Sequence, residues 1–275
     1  MLDLAAVRAE LPILAQTAYL NSGTAGPWPR SVVAAIESAL RAELVRGRAS
    51  PAGLPEFRPL LQQTRAWLAE CVGADADEIA LTHSATEGID IVVWGLPWQP
   101  GDEIVTTSIE HRGVLVPVRA AAERCGLVVR VVDVGHGEPA RVLAAVADAL
   151  TPRTRLVALS HVSFSTGARL DVAALAELAH AQGATLAVDG AQAVGVLPVD
   201  VHALGVDFYA FPGQKWLCGP EGTGGLYVAR ARQATLAATF VGTRSAGPAA
   251  AHYEWATLFR PGVHGLHAAS RGDFR

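Results

Sequence analysis

An α/β protein with a mostly parallel, seven-stranded sheet flanked by helices is the fold this sequence predicts. Two observations carry that expectation. Short β-rich runs alternate with amphipathic runs of helical period, the signature of βαβ units. Several of those β-rich runs lead straight into polar or glycine-bearing turns. Open sheets of this kind bind ligands at the C-terminal ends of their strands.

The elements follow in order. Residues 1–25 form an N-terminal segment. Two helices come next, near Ser31–Arg46 and Phe57–Cys71, with the Gly/Pro/Ser-bearing loop Arg48–Pro55 between them. A strand at Ile79–Thr82 leads to a helix at Ala85–Leu96. The strand Glu103–Thr107 leads to the helix Val114–Arg124, and Val128–Val134 to Ala140–Leu150. Leu156–His161 leads to Val172–Gln182. Strands at Thr185–Asp189, Phe208–Phe211 and Gly225–Val228 complete the set. No internal repeat interrupts this order.

Composition excludes several function classes. Apolar residues make up 51% of the 275 residues and charged residues 17%, which rules out a disordered chain. Net charge is −4, and no basic face is present to neutralise phosphates, so nucleic acid is not an expected partner. No apolar run is long enough to span a membrane, and the acidic start is not a signal peptide. Three widely spaced cysteines, Cys71, Cys125 and Cys218, fit neither a disulfide framework nor a zinc site. No metal is expected, and a reducing cytoplasm is the expected setting. No Gly-x-Gly-x-x-Gly follows a strand and there is no Walker-type loop, which disfavours a nicotinamide dehydrogenase and a P-loop NTPase.

The cations carry a sharper signal. Of 22 Lys and Arg residues, Lys215 is the sole lysine. Arginine stays protonated and cannot form a Schiff base, whereas lysine can. A lone lysine in an arginine-rich chain is a candidate for that chemistry, with a leftover surface lysine as the alternative.

Polar residues gather at the strand ends. Ile79–Thr82 runs into His83, Ser84, Ala85, Thr86 and Glu87, small hydroxyl-bearing residues at a helix N-terminus, where backbone N–H groups hold phosphate. Helix capping alone is the competing account of Ser84 or Thr86. Glu103–Thr107 runs into Glu110 and His111, a histidine placed to stack on a flat ligand or move protons, or else to serve packing. His161, with Ser163 and Gly167 after it, carries the same two readings. Asp189 ends an apolar strand, so its carboxylate is partly buried and needs a cationic or N–H partner, or it caps the next helix. Lys215 follows the strand Phe208–Phe211 in a glycine-bearing loop. A phosphate cradle, a stacking histidine, a buried aspartate and a Schiff-base lysine are together the needs of pyridoxal 5′-phosphate.

These residues resemble the class V aminotransferase family, the fold-type I pyridoxal-phosphate enzymes that include cysteine desulfurases. Ser84-Ala85-Thr86 is similar to that family's phosphate-binding turn, and Glu110-His111 to the histidine that stacks on the pyridine ring. Asp189 matches the aspartate paired with the ring nitrogen, Gln192 the glutamine beside the phenolic oxygen, and Lys215 the Schiff-base lysine. Glu254-Trp255-Ala256-Thr257 resembles a family motif whose threonine reaches the partner subunit's phosphate, which implies a homodimer. The stretch Asp207 to Pro220 is similar to the cystine/cysteine C–S lyase branch.

The resemblance implies a fold-type I large domain over residues 26–262, with 263–275 beginning a small C-terminal domain that is expected to be missing. It implies catalysis by Lys215, Asp189 and His111 on an amino acid, with β-elimination from cystine or cysteine. Lys215 would serve as base, and Asp189 would be depressed in pKa by the ring cation. Transamination, epimerisation, or a non-catalytic chain that binds cofactor or a partner are the alternatives. Gln214 and Phe164 depart from the family pattern, in which a histidine and a polar residue are usual. Gln214 is still expected at the cofactor. Cys218 lies too close to Lys215 to be the desulfurase loop cysteine and is expected to pack.

Overall fold

The computed structural model describes residues 3–48, 54–241 and 260–270. Three helices precede the sheet: α1 (Leu4–Glu10), α2 (Arg30–Arg46) and α3 (Leu54–Val72). Then come β1 (Ile79–Thr82), α4 (Ala85–Gly95), β2 (Glu103–Thr107), α5 (Arg112–Cys125) and β3 (Val128–Val132). They are followed by α6 (Pro139–Ala149), β4 (Thr154–Ser160), α7 (Val172–Ala181) and β5 (Thr185–Asp189). The described elements close with α8 (Val201–Leu204), β6 (Phe208–Pro212), β7 (Gly224–Val228) and α9 (Arg260–Ser270).

The seven strands form one sheet in the order β1-β7-β6-β5-β4-β2-β3. Neighbours from β3 through β6 pair in parallel, while β7 runs antiparallel to both β1 and β6. The reversal at β7 has a local cause. A parallel return usually needs a helical crossover. The loop between Pro212 and Gly224 contains no helix, so the chain turns back beside β6.

Strands β1, β2, β5, β6 and β7 are buried along their whole length, as expected for a sheet covered on both faces. Successive residues feed opposite cores: Phe208 belongs to the core that holds Ile89, Val92 and Val118 of α4 and α5, while Tyr209 belongs to the one that holds Leu68, Val146 and Leu175 of α3, α6 and α7. The edge strand β3 leaves Val128 and Val131 exposed.

Most expected elements sit within two residues of their observed bounds. Strand β3 stops at Val132 rather than Val134, and β4 at Ser160 rather than His161. Sequence reasoning does not anticipate α1, α8 or α9. Helix α9 holds Pro261, Gly262 and Gly265, poor helix formers, and packs against α2 and α3. Residue 262, the expected domain boundary, lies within α9. Among the described residues no helix is long and apolar enough to cross a membrane.

Candidate active site

Asp189 stands at the C-terminal end of β5, in the middle of the sheet, in register with Ser160 of β4 and Ala210 of β6. It is 6% exposed, and its Oδ1 accepts from the Ala191 N–H at 2.9 Å. Burial pushes its carboxyl above the ordinary range, while that N–H, Lys215 and His111 draw it back. In the chain itself desolvation outweighs these neighbours; the depression expected from the ring cation concerns the cofactor-bound site. Asp189 also anchors the turn after β5, but it caps no helix, since the next one, α8, begins at Val201 and is capped by Asp200.

Lys215 lies on the loop after β6. Burial lowers its amine, and Asp189 opposes that shift. The loop is braced by backbone bonds, Gly219 N–H to Gly213 O at 2.8 Å and Cys218 N–H to Lys215 O at 3.0 Å. The N-terminal segment fastens it from outside, with Gly26 N–H donating to Gln214 O at 2.7 Å. A Cβ at residue 26 would lie 2.0 Å from the Lys215 carbonyl, so only glycine allows this approach. Cys218 is half-buried beside Gly26 and its thiol is pushed up by burial, in keeping with a packing role.

Lys215 opens into a cleft of about 650 Å³. His111, Ser163 and Gln192 supply polar lining, and Leu20, Phe164, Val196 and Trp216 an apolar part of its wall. A narrower recess brings His111, Ser160, Asp189, Gln192 and Lys215 together. His111 is the N-cap of α5, and its Nδ1 accepts from Gly113 N–H at 3.0 Å. That bond fixes Nδ1 as acceptor. The Phe164 ring meets the imidazole edge-on, with centroids 4.9 Å apart. At 51% exposure, Phe164 is an apolar wall at the place where the family pattern expects a polar contact.

The turn into α4 does not line the cleft; it lies beside His111, with Thr86 Oγ1 and the imidazole both close to Gly113. Ser84 caps the helix, its Oγ accepting from Glu87 N–H at 3.0 Å. Ala85 and Thr86 occupy the first turn, whose N–H groups lack helical partners. Glu87 accepts from the His83 backbone N–H and faces the His83 ring Nδ1 at 2.9 Å. A Cβ at residue 113 would lie 2.6 Å from Thr86 Oγ1 and 3.1 Å from His111 Nδ1, so a bare glycine backbone joins the two turns. Gln192 donates from Nε2 to Gly23 O at 2.9 Å and accepts at Oε1 from Trp216 Nε1 at 2.7 Å. Gln214 keeps a buried Oε1 with no hydrogen-bond partner among the described residues. Thr257 lies outside the described residues.

Sequence reasoning missed the layer beneath the recess. Glu110 is 4% exposed; Thr107 Oγ1 donates to its Oε1 at 2.6 Å and Ser160 Oγ to its Oε2 at 2.5 Å. Burial lifts its carboxyl to about 7, and the nearby Asp189 charge pushes the same way. His161 is also internal, bonded through Nδ1 to Tyr209 OH at 2.8 Å and pushed down to about 4 by burial. The packing alternative therefore holds for His161. The one signal for Glu110 was its position beside His111 at a strand end, read there only as part of a motif.

The chain matches the family model for aminotransferase class-V over residues 18–260. It belongs to the class V aminotransferase family. A probable cysteine desulfurase of Methanothermobacter thermautotrophicus is 36% identical over 240 residues, covering 86% of this chain and 59% of that protein. The chain thus spans about three-fifths of that class V relative. Isopenicillin N epimerase of Streptomyces clavuligerus is 35% identical over 263 residues, covering 92% of the chain and 65% of that enzyme. Among solved structures, a C-DES variant with glycine covalently linked to its PLP cofactor matches with a TM-score of 0.90 at 35% identity, covering 96% of this chain and 73% of that one. The cystine C–S lyase C-DES with its product cysteine persulfide matches at a TM-score of 0.89 and 35% identity, over 95% of this chain and 73% of that one. The fold is therefore the fold-type I architecture of these class V enzymes.

Proposed function

We propose that this chain is the large domain of a pyridoxal-phosphate-dependent enzyme that removes sulfur from cystine or cysteine by β-elimination. The carrying observation is the pairing of the sole lysine with a buried strand-end carboxylate in one recess. The fit to the cofactor rests on the donor set. Asp189 is a buried anion that needs a cationic partner, the first turn of α4 offers N–H donors, and Gln214 Oε1 is buried without a partner among the described residues. Similarity to the C–S lyase C-DES and to cysteine desulfurases supports the reaction class.

In this reading Ser84, Ala85 and Thr86 hold the phosphate, with Thr257 of a second copy reaching the same group in a homodimer. His111 lies against the ring face, Gln192 donates to the ring oxygen, and Gln214 contacts the cofactor from the lysine loop. Asp189 holds the proton of the ring nitrogen. Pyridoxal phosphate, when bound, supplies an electron sink for the pair left on an amino acid's α-carbon. Lys215 would be the residue that holds the cofactor through its aldehyde carbon, and its Nζ, an amine whose proton affinity burial has lowered, would be placed to accept the α-proton of a bound amino acid. The apolar residues in the cleft wall limit water near that proton.

The test is direct. Protein mixed with pyridoxal phosphate gains a visible absorbance band, and borohydride fixes the cofactor on the peptide containing Lys215. Cystine then yields pyruvate, ammonia and persulfide sulfur. A label elsewhere refutes the assignment. The similarity to isopenicillin N epimerase favours a second reading, epimerisation, in which the amino acid is returned with its α-centre inverted and no sulfur is released.

A further inference from the structure

The orientation of the Gln192 amide is decided by Trp216, the residue next to Lys215. An indole N–H can only donate, and a backbone carbonyl can only accept. Trp216 Nε1 lies 2.7 Å from Gln192 Oε1, and Gly23 O lies 2.9 Å from Gln192 Nε2. Both contacts assign the same amide orientation. A flipped amide would set its NH₂ against the indole N–H and its oxygen against the Gly23 carbonyl, losing both bonds. Nε2 has two hydrogens and Gly23 takes one. Gln192 lines both the cleft and the recess beside Lys215.

We propose that Trp216 is a positioning residue that locks Gln192 as a hydrogen-bond donor toward an oxygen carried by the cofactor ring. The proposal rests on the pyridoxal-phosphate reading. Its physical content is that the lysine loop, through the residue next to Lys215, selects which end of a neutral amide faces the site. Without the indole N–H, the amide retains one tether, at Gly23, and rotates about it. The site then offers a mixture of donor and acceptor to an oxygen that bears negative charge. Trp216 is 37% exposed, so exchanging the indole for a phenyl ring leaves the core packing in place.

The experiment uses the cofactor-loaded protein and the variants Trp216→Phe, Gln192→Ala and the double variant. The readouts are the wavelength of the visible band, the dissociation constant for pyridoxal phosphate, and the melting temperature of the cofactor-free protein. One lost hydrogen bond of ordinary strength corresponds to about 5- to 10-fold in affinity. Trp216→Phe is expected to weaken binding by about that factor and to move the band in the same direction as Gln192→Ala. The double variant is expected to be no worse than Gln192→Ala alone, since the indole acts only through the amide. Melting without cofactor is expected to stay within about 2 °C of wild type, as for a surface substitution. An unshifted band in Trp216→Phe, or effects that multiply in the double variant, overturns the proposal. A wild-type protein with no visible band and no label on Lys215 instead refutes the cofactor reading beneath it.

Discussion

Replacing Glu110 with glutamine should remove most of a pH-dependent loss of stability. Glu110 is 4% exposed; it meets the hydroxyls of Thr107 and Ser160 and takes a backbone bond from Ser160. Its carboxyl rises from 4.5 to about 7 because burial disfavours the charged form. A carboxyl with a raised folded pKa binds its proton more tightly folded than unfolded. Its contribution is fully present below the unfolded value near 4.5 and is lost as pH climbs through about 7. At about 1.4 kcal/mol per pH unit, that rise corresponds to roughly 3 kcal/mol between about pH 4.5 and pH 8. Glutamine keeps the shape and cannot ionise, and the two hydroxyls can turn to suit its amide. Urea unfolding of the cofactor-free protein at about pH 5 and pH 8 should show Glu110→Gln gaining roughly 3 kcal/mol on wild type across that interval. A difference between the two proteins that stays constant within about 1 kcal/mol would mean that Glu110 is ionised at both pH values, and the reasoning fails.

Asp189→Asn should raise the melting temperature of the cofactor-free protein near neutral pH, because it removes a charge that burial disfavours, yet it should sharply slow exchange of the substrate α-proton; exchange equal to wild type refutes its role. His111→Ala removes the acceptor for Gly113 N–H, a cap worth about 1 kcal/mol, and should weaken cofactor retention more than it lowers cofactor-free melting, as equilibrium dialysis beside calorimetry would show. Gly26→Ala forces a Cβ to within 2.0 Å of the Lys215 carbonyl and should displace the lysine loop. The expected signs are a loss of more than about 2 kcal/mol of stability and failure of borohydride labelling, and an unaffected protein would show that the N-terminal segment does not hold that loop.

The sheet was legible because each buried strand is a short apolar run closed by a turn. Thr185–Asp189 and Ile79–Thr82 are read to the residue for that reason. The direction of β7 was not legible, because it depends on how a helix-free loop returns, which no periodicity encodes. Helix α9 was hidden by Pro261 and its glycines, whose helical state depends on packing against α2 and α3. Within the site, chemistry-bearing residues were legible where their type was unusual for its place, as with Lys215 and Asp189. Those that act through neighbours were not. Trp216 bonds to a residue on another loop, and Ser160 is separated from Glu110 by 50 positions. The upward push on Asp189 in the chain alone was not legible for a related reason: sequence does not show how completely the sheet removes water.

Two carboxylates thus share the floor of the site, at the end of β5 and just past that of β2 on either side of β4, and their partners decide which keeps a proton. Placing both charges in one water-poor recess is costly, because each disfavours ionisation of the other. Beside a backbone bond from Ser160, Glu110 faces two hydroxyls, groups that accept as readily as they donate, so a protonated Glu110 keeps partners. Asp189 faces the Ala191 N–H and the charge of Lys215, neither of which can accept a hydrogen bond from a carboxylic acid. The proton therefore settles on Glu110 and the negative charge on Asp189. The carboxylate that lies beside Lys215 remains available to a cation, while the one below it is neutral below about pH 7 and ties β2 to β4. A second fixed negative charge at Glu110 would draw cations away from the recess of Asp189. The two hydroxyls that neutral Glu110 engages are thus part of what leaves the negative charge on Asp189.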